Sequence, residues 1–201
     1  MDRQKLLDRI EAVEGRKHKM YMLEGIPHIG IGHNIISRSL CDETLDFLDI
    51  EDESELMTAE LNDAQCDFLL GKDFDIAVAD ARSIIGEDTF DGLSDARQDV
   101  LIDMSFNLGR PRFSNFAKMI AAVRTGDFDE AANQILDSKA ARDPLTKNRY
   151  ENLAKEMRSE TPTIAETPVK TTEEFLAEIP TENLLAELNR RIEAQKKANG
   201  I

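Results

Sequence analysis

YMLEGIPHIGIGH, Tyr21 to His33, puts a carboxylate, two histidines and three glycines into a chain that has three histidines in all. Apolar residues alternate around Gly30 and Gly32, which predicts a short strand with a turn before it. Two readings are open for this stretch: a β-hairpin that only folds, or one wall of an active site.

Outward to the N-terminal side, residues 3–14 carry Leu6, Leu7, Ile10 and Val13 at helical spacing, and Gly15 reads as the C-cap. Glu14 then sits in the last helical turn, next to the hairpin. Outward to the C-terminal side, residues 38–57 contain EDESE but lack the ordered spacing and glycine of a calcium loop, so they read as a solvated loop. Helical patterns follow. Leu61, Phe68, Leu69, Ile76 and Ile84 predict one long helix with Gly71 as a soft point. The next helix starts at Ser94 and ends at Gly109, and another is capped by Ser114 and stopped by Gly126. DFDEAANQILDS and LTKNRYENLAKEM close a domain over 1–159. Residues 160–180 are rich in Thr, Pro and Glu and read as a linker. Residues 181–201 read as a helix whose Leu184, Leu185, Leu188 and Ile192 either dock back on the domain or serve as a tether or self-association stripe.

Composition excludes several functions. The chain is 41% apolar and 32% charged over 201 residues, enough for one domain with an appendage. No apolar run is long enough for membrane insertion. Asp8, Arg9 and Glu11 break any signal-peptide core at the N-terminus. Cys41 and Cys66 read as incidental thiols. The net charge of −15 argues against nucleic acid as a partner. Its seat is residues 41–100, with 19 acidic against 3 basic residues.

Glycosidic hydrolysis needs a carboxylic acid beside the leaving oxygen and a second group across the sugar, to activate water or to attack. Glu14 at a helix end and His28 on the returning hairpin offer such a pair. On spacing alone, a helix-end glutamate reads more readily as a solvated charge than as a catalytic acid. A metal is not expected: His28 and His33 lie five apart on an extended segment and point to opposite faces.

Residues 14–33, EGRKHKMYMLEGIPHIGIGH, resemble the signature of the phage-type lysozymes, glycoside hydrolase family 24. Glu14, Gly15, Tyr21, Gly25, Ile29, Gly30, Gly32 and His33 fall in register with it. DARQDVLIDMSFNLG resembles the family's central core helix, FSNFAKMIAAVRTGDFDEAANQIL the helix pair after it, and TKNRY its late N-R element; together the likeness covers about residues 5–158. The resemblance implies an α+β, mostly α, two-lobed lysozyme-like fold. A small hairpin lobe would span residues 15–58, and a larger helical lobe the rest. It implies hydrolysis of the β-1,4 bond between N-acetylmuramic acid and N-acetylglucosamine in peptidoglycan, without a cofactor. Residue by residue, it makes Glu14 the general acid and Arg149 the arginine that positions it. It makes His33 and Asp73 a structural pair, and Phe106, Gly30 and Gly32 substrate-binding positions.

Two departures stand out. The family's turn holds four residues with a central Asp between the Tyr and the Gly. This chain has three, Met22, Leu23 and Glu24, so Glu24 is the only carboxylate there. The second departure is His28, where the family strand has Thr. An imidazole can serve as base or nucleophile at neutral pH, so His28 is expected to replace the Asp/Thr pair in one of those roles. The alternative is a lysozyme-like peptidoglycan-binding or virion-structural module with weak or no catalysis. The expected location is the host cytoplasm before release through a separate membrane pore, or the phage particle.

Overall fold

The computed structural model describes residues 1–23, 25–36 and 40–159. Glu24, the linker 160–180 and the helix expected over 181–201 lie outside the described residues.

Helix α1 runs from Arg3 to Glu14. The Asp2 carboxylate caps its first turn by accepting from the Lys5 amide at 3.1 Å. Gly15, at φ 71°, ends it by donating its own amide to the Glu11 carbonyl. Leu6 and Ile10, one turn apart, enter the core, whereas Val13 is 54% exposed and does not join that face as the spacing had suggested.

Strands β1 (Lys17–Leu23), β2 (Ile26–Gly30) and β3 (His33–Asn34) make an antiparallel sheet in that order. Tyr21 pairs with His28, and His28 with Asn34. The outer edge of β1 is covered: the Leu61 amide donates to the His18 carbonyl at 2.8 Å, and Lys19 bridges Glu60. The strand expected through Gly32 stops at Gly30. Positive φ at Gly30 (64°) and Gly32 (75°) makes Ile31–Gly32 a second turn.

Residues 40–57 are not the solvated loop that their charge suggested. They form α2 (Asp42–Leu48) and a 3-10 turn (Glu53–Met57). Thr44, Leu48 and Leu56 are buried, and Asp42 and Glu43 sit favourably in the first turn of α2. A run of acids hid three inward-facing positions.

The long helix α3 (Asp63–Ile85) is opened by a reciprocal Asn62–Gln65 capping box and passes through Gly71 without a break. Its Leu69, Leu70, Phe74 and Ala77 are buried, and it packs along α5 (Asp95–Ser114) and against β2. Ile76, placed inward by the sequence pattern, is 45% exposed. Helix α4 (Glu87–Asp91) joins α3 to α5 and was not anticipated.

Gly109 interrupts α5 at φ 69°, ψ 160°, but the helical run resumes to Ser114 rather than ending there. Ser114 does not cap the next helix, because its hydroxyl donates back to the Pro111 carbonyl at 2.9 Å. Phe116 holds the cap position of α6 (Ala117–Arg124). Helix α7 (Phe128–Leu136), a single turn α8 (Lys139–Arg142) and α9 (Lys147–Arg158) complete the described chain. The molecule is mostly α, with one small antiparallel sheet: an α+β, lysozyme-like fold.

Candidate active site

Three elements converge on Glu14. Helix α1 ends at this residue, the turn after β2 brings Gly32 against it, and the first turn of α9 supplies Arg149. A Cβ built on Gly32 would lie 3.3 Å from both Cγ and Oε2 of Glu14. The missing side chain is therefore what lets the backbone approach the carboxyl. Arg149 Nη1 donates to Glu14 Oε1 at 2.9 Å. Glu14 keeps 16% of its side chain exposed, so it is sheltered yet reachable.

Arg149 is 9% exposed and has a second acidic partner, Asp103 on α5, whose Oδ1 accepts from Nε at 2.8 Å. Burial alone would pull the guanidinium pKa down. The charges of Asp103 and Glu14, together with their hydrogen bonds, outweigh it and push the value up, so this arginine stays charged.

His28 is half-buried on β2. Its Nδ1 lies 3.0 Å from the Ile26 carbonyl oxygen, which can only accept. Nδ1 therefore carries the hydrogen, and in the neutral ring Nε2 holds the lone pair. Tyr21 connects this histidine to the acid. Its ring centroid is 5.7 Å from that of His28, and its phenol pKa is raised first by burial and then by the Glu14 charge.

His33 and Asp73 are both buried. His33 Nδ1 lies 2.9 Å from Asp73 Oδ2 and 3.1 Å from Oδ1, which ties the end of the sheet to α3. Phe106 is 4% exposed and lies within the core rather than on an open surface. Gly30 is also buried, with Leu69 and Leu61 within 4.0 Å of where its Cβ would be. It serves the packing of β2 against α3.

The sequence reading missed Asp103 and Arg9. Arg9 Nε stands 3.4 Å from Asp103 Oδ2, and Arg9 Nη1 donates to Glu156 Oε2 at 2.8 Å. A signal was present. Asp99, Asp103 and Asn107 follow one another at intervals of four along α5, and the positions between them are mostly apolar. Acids on a buried helix face require partners. Asn107 has one as well, accepting from the Tyr150 hydroxyl at 3.2 Å.

No curated protein matches the chain. A family model described as phage lysozyme matches residues 11–158, from within α1 to the last residue of α9. The match spans well over half of the chain and takes in Glu14, His28, Gly32, His33, Asp73, Asp103 and Arg149, with Arg9 just outside it. The chain belongs to the phage lysozyme family, and with that membership it is a glycoside hydrolase that acts on peptidoglycan.

Proposed function

We propose that the protein cleaves the β-1,4 bond between N-acetylmuramic acid and N-acetylglucosamine, with Glu14 as general acid and His28 as base or nucleophile. The observation that carries this reading is the division of labour at the Glu14 carboxyl. Oε1 accepts from Arg149 Nη1 at 2.9 Å, so a proton on this group belongs on Oε2, the oxygen beside Gly32. That proton goes to the leaving glycosidic oxygen.

His28 supplies the second function from the β-sheet side. With Nδ1–H donated to the Ile26 carbonyl, Nε2 takes a proton from water in an inverting reaction, or attacks the anomeric carbon in a retaining one. Arg149 orients Glu14, and His33 with Asp73 anchors the turn that carries Gly32. Glu24 is the remaining carboxylate of the hairpin and a second candidate on that side. Residues 160–180 act as a linker, and residues 181–201 as a segment for docking on the domain, tethering or self-association. The setting that suits this reading is the phage particle, or the host cytoplasm before release through a separate membrane pore.

The test is muropeptide release from purified peptidoglycan by the wild type, Glu14→Gln and His28→Ala. The expected result is release by the wild type and losses of about 100-fold or more in both folded variants. The anomer first seen by NMR then separates inversion from retention. A wild type that binds peptidoglycan but releases nothing across pH and salt would overturn the catalytic reading in favour of a binding or virion-structural module.

A further inference from the structure

The Glu14 carboxyl is under two opposed demands. The guanidinium 2.9 Å away holds Oε1 in place, yet a general acid has to carry a proton on its other oxygen and give it up. Asp103 sits where it can relieve this conflict. It is 3% exposed, and it binds Arg149 through Nε while Nη1 of the same guanidinium goes to Glu14.

We propose that Asp103 is a positioning residue for hydrolysis: it fixes Arg149 and shares its charge, so that Arg149 orients the Glu14 carboxyl without locking it as a carboxylate. The inference rests on the reading of Glu14 as the acid. A merely structural ion pair would not need this arrangement, because Asp103 already has a countercharge in Arg9, at 3.4 Å. Arg9 in turn is held by Glu156 at 2.8 Å. The result is a chain of alternating charge, Glu14, Arg149, Asp103, Arg9 and Glu156, running through α1, α5 and α9. One end of it is the carboxyl at the site.

Further titratable groups stand beside this chain among the described residues. Tyr21 on β1 stands near Glu14, Tyr150 on α9 near Arg149 and Asp103, and Asp99 on α5 near Arg9 and Glu156. The two tyrosines are held protonated, since burial raises both phenols, Tyr150 to about 12. Removing a charge from Asp103 or Arg9 therefore has opposite effects on Glu14. Without the Asp103 charge, Arg149 attracts the Glu14 carboxylate unshared. Without the Arg9 charge, Asp103 draws more fully on Arg149 and loosens its hold on Glu14.

The experiment measures kcat and KM for peptidoglycan hydrolysis against pH, for the wild type, Asp103→Asn, Arg9→Gln and Glu14→Gln, with melting curves for each. Asp103→Asn is expected to move the alkaline fall of kcat to lower pH by about one unit, with roughly tenfold less activity above it and little change in KM. Arg9→Gln is expected to move the same fall to higher pH by a smaller amount. A packing role would lower both melting temperatures and leave both profiles in place, and unmoved profiles overturn the proposal. If Asp103→Asn does not fold, the direction of the Arg9→Gln shift decides. An active Glu14→Gln would sink the acid assignment itself. An inert Glu14→Gln with unmoved profiles in the other two would sink only the role of Asp103.

Discussion

At Gly32 a single methyl group separates two effects. It would stand 3.3 Å from the Glu14 carboxyl, and the backbone there has φ 75°, a region that disfavours any side chain. Gly32→Ala is expected to cost about 1–2 kcal/mol of stability. Its loss of muropeptide release should exceed what the unfolded fraction explains, because Glu14 Oε2 must shift. Melting curves and activity on the same sample check this. Asp99 offers a pH-dependent case away from the site. Its Oδ1 is buried without a hydrogen-bond partner, and burial raises its pKa to about 6, with Arg9 pulling the other way. A raised carboxyl pKa means that the folded state holds the proton more tightly than the unfolded chain. The Asp99 contribution is therefore most favourable below about pH 4, declines as pH rises through 6, and stays unfavourable above. Asp99→Asn should match the wild type in urea unfolding near pH 4 and exceed it by about 1–2 kcal/mol near pH 8.

Among the helices, α3 is the one that the sheet, α1, α2 and α5 all lean on. Gly71 lies inside it in helical conformation, and a Cβ there would meet only Arg3 Nη2, at an ordinary 3.7 Å. Arg3 itself is held by Asp75, by the Gly71 carbonyl and by the face of Phe74. Gly71→Ala is expected to raise stability by about 0.5–1 kcal/mol, by removing backbone freedom from the unfolded chain. Chemical denaturation measures it directly; a loss would mean that Arg3 cannot yield.

For the molecule as a whole, the net charge of −15 sets the long-range behaviour. Peptidoglycan presents carboxylates on its peptides, so approach is against like charge. Lytic activity on purified walls is expected to rise as ionic strength increases from about 0.01 to about 0.15 M, where the screening length shortens from about 30 to about 8 Å. A steady fall with salt would mean that the binding surface is locally basic despite the total.

Much of this protein was legible before its folding. The helix ending at Glu14, the turn at Gly25, the long helix through Gly71 and the α9 segment bearing Arg149 each depend on local patterns: caps, positive-φ glycines and apolar periodicity. The acidic segment was not legible in the same way. α2 forms because Thr44 and Leu48 find a surface to bury against, and a run of charges conceals such positions until that surface exists. The same holds at the site. Sequence determined which residue types were present, that Glu14 and Arg149 resembled a lysozyme's set, and that His28 departed from it. Only tertiary structure decided that Arg149, 135 residues along the chain from Glu14, would be shared with Asp103, and that His28 would spend its Nδ1 hydrogen on Ile26. Hydrogen bonds between groups distant in sequence depend on how helices and strands stack, and no local periodicity encodes that.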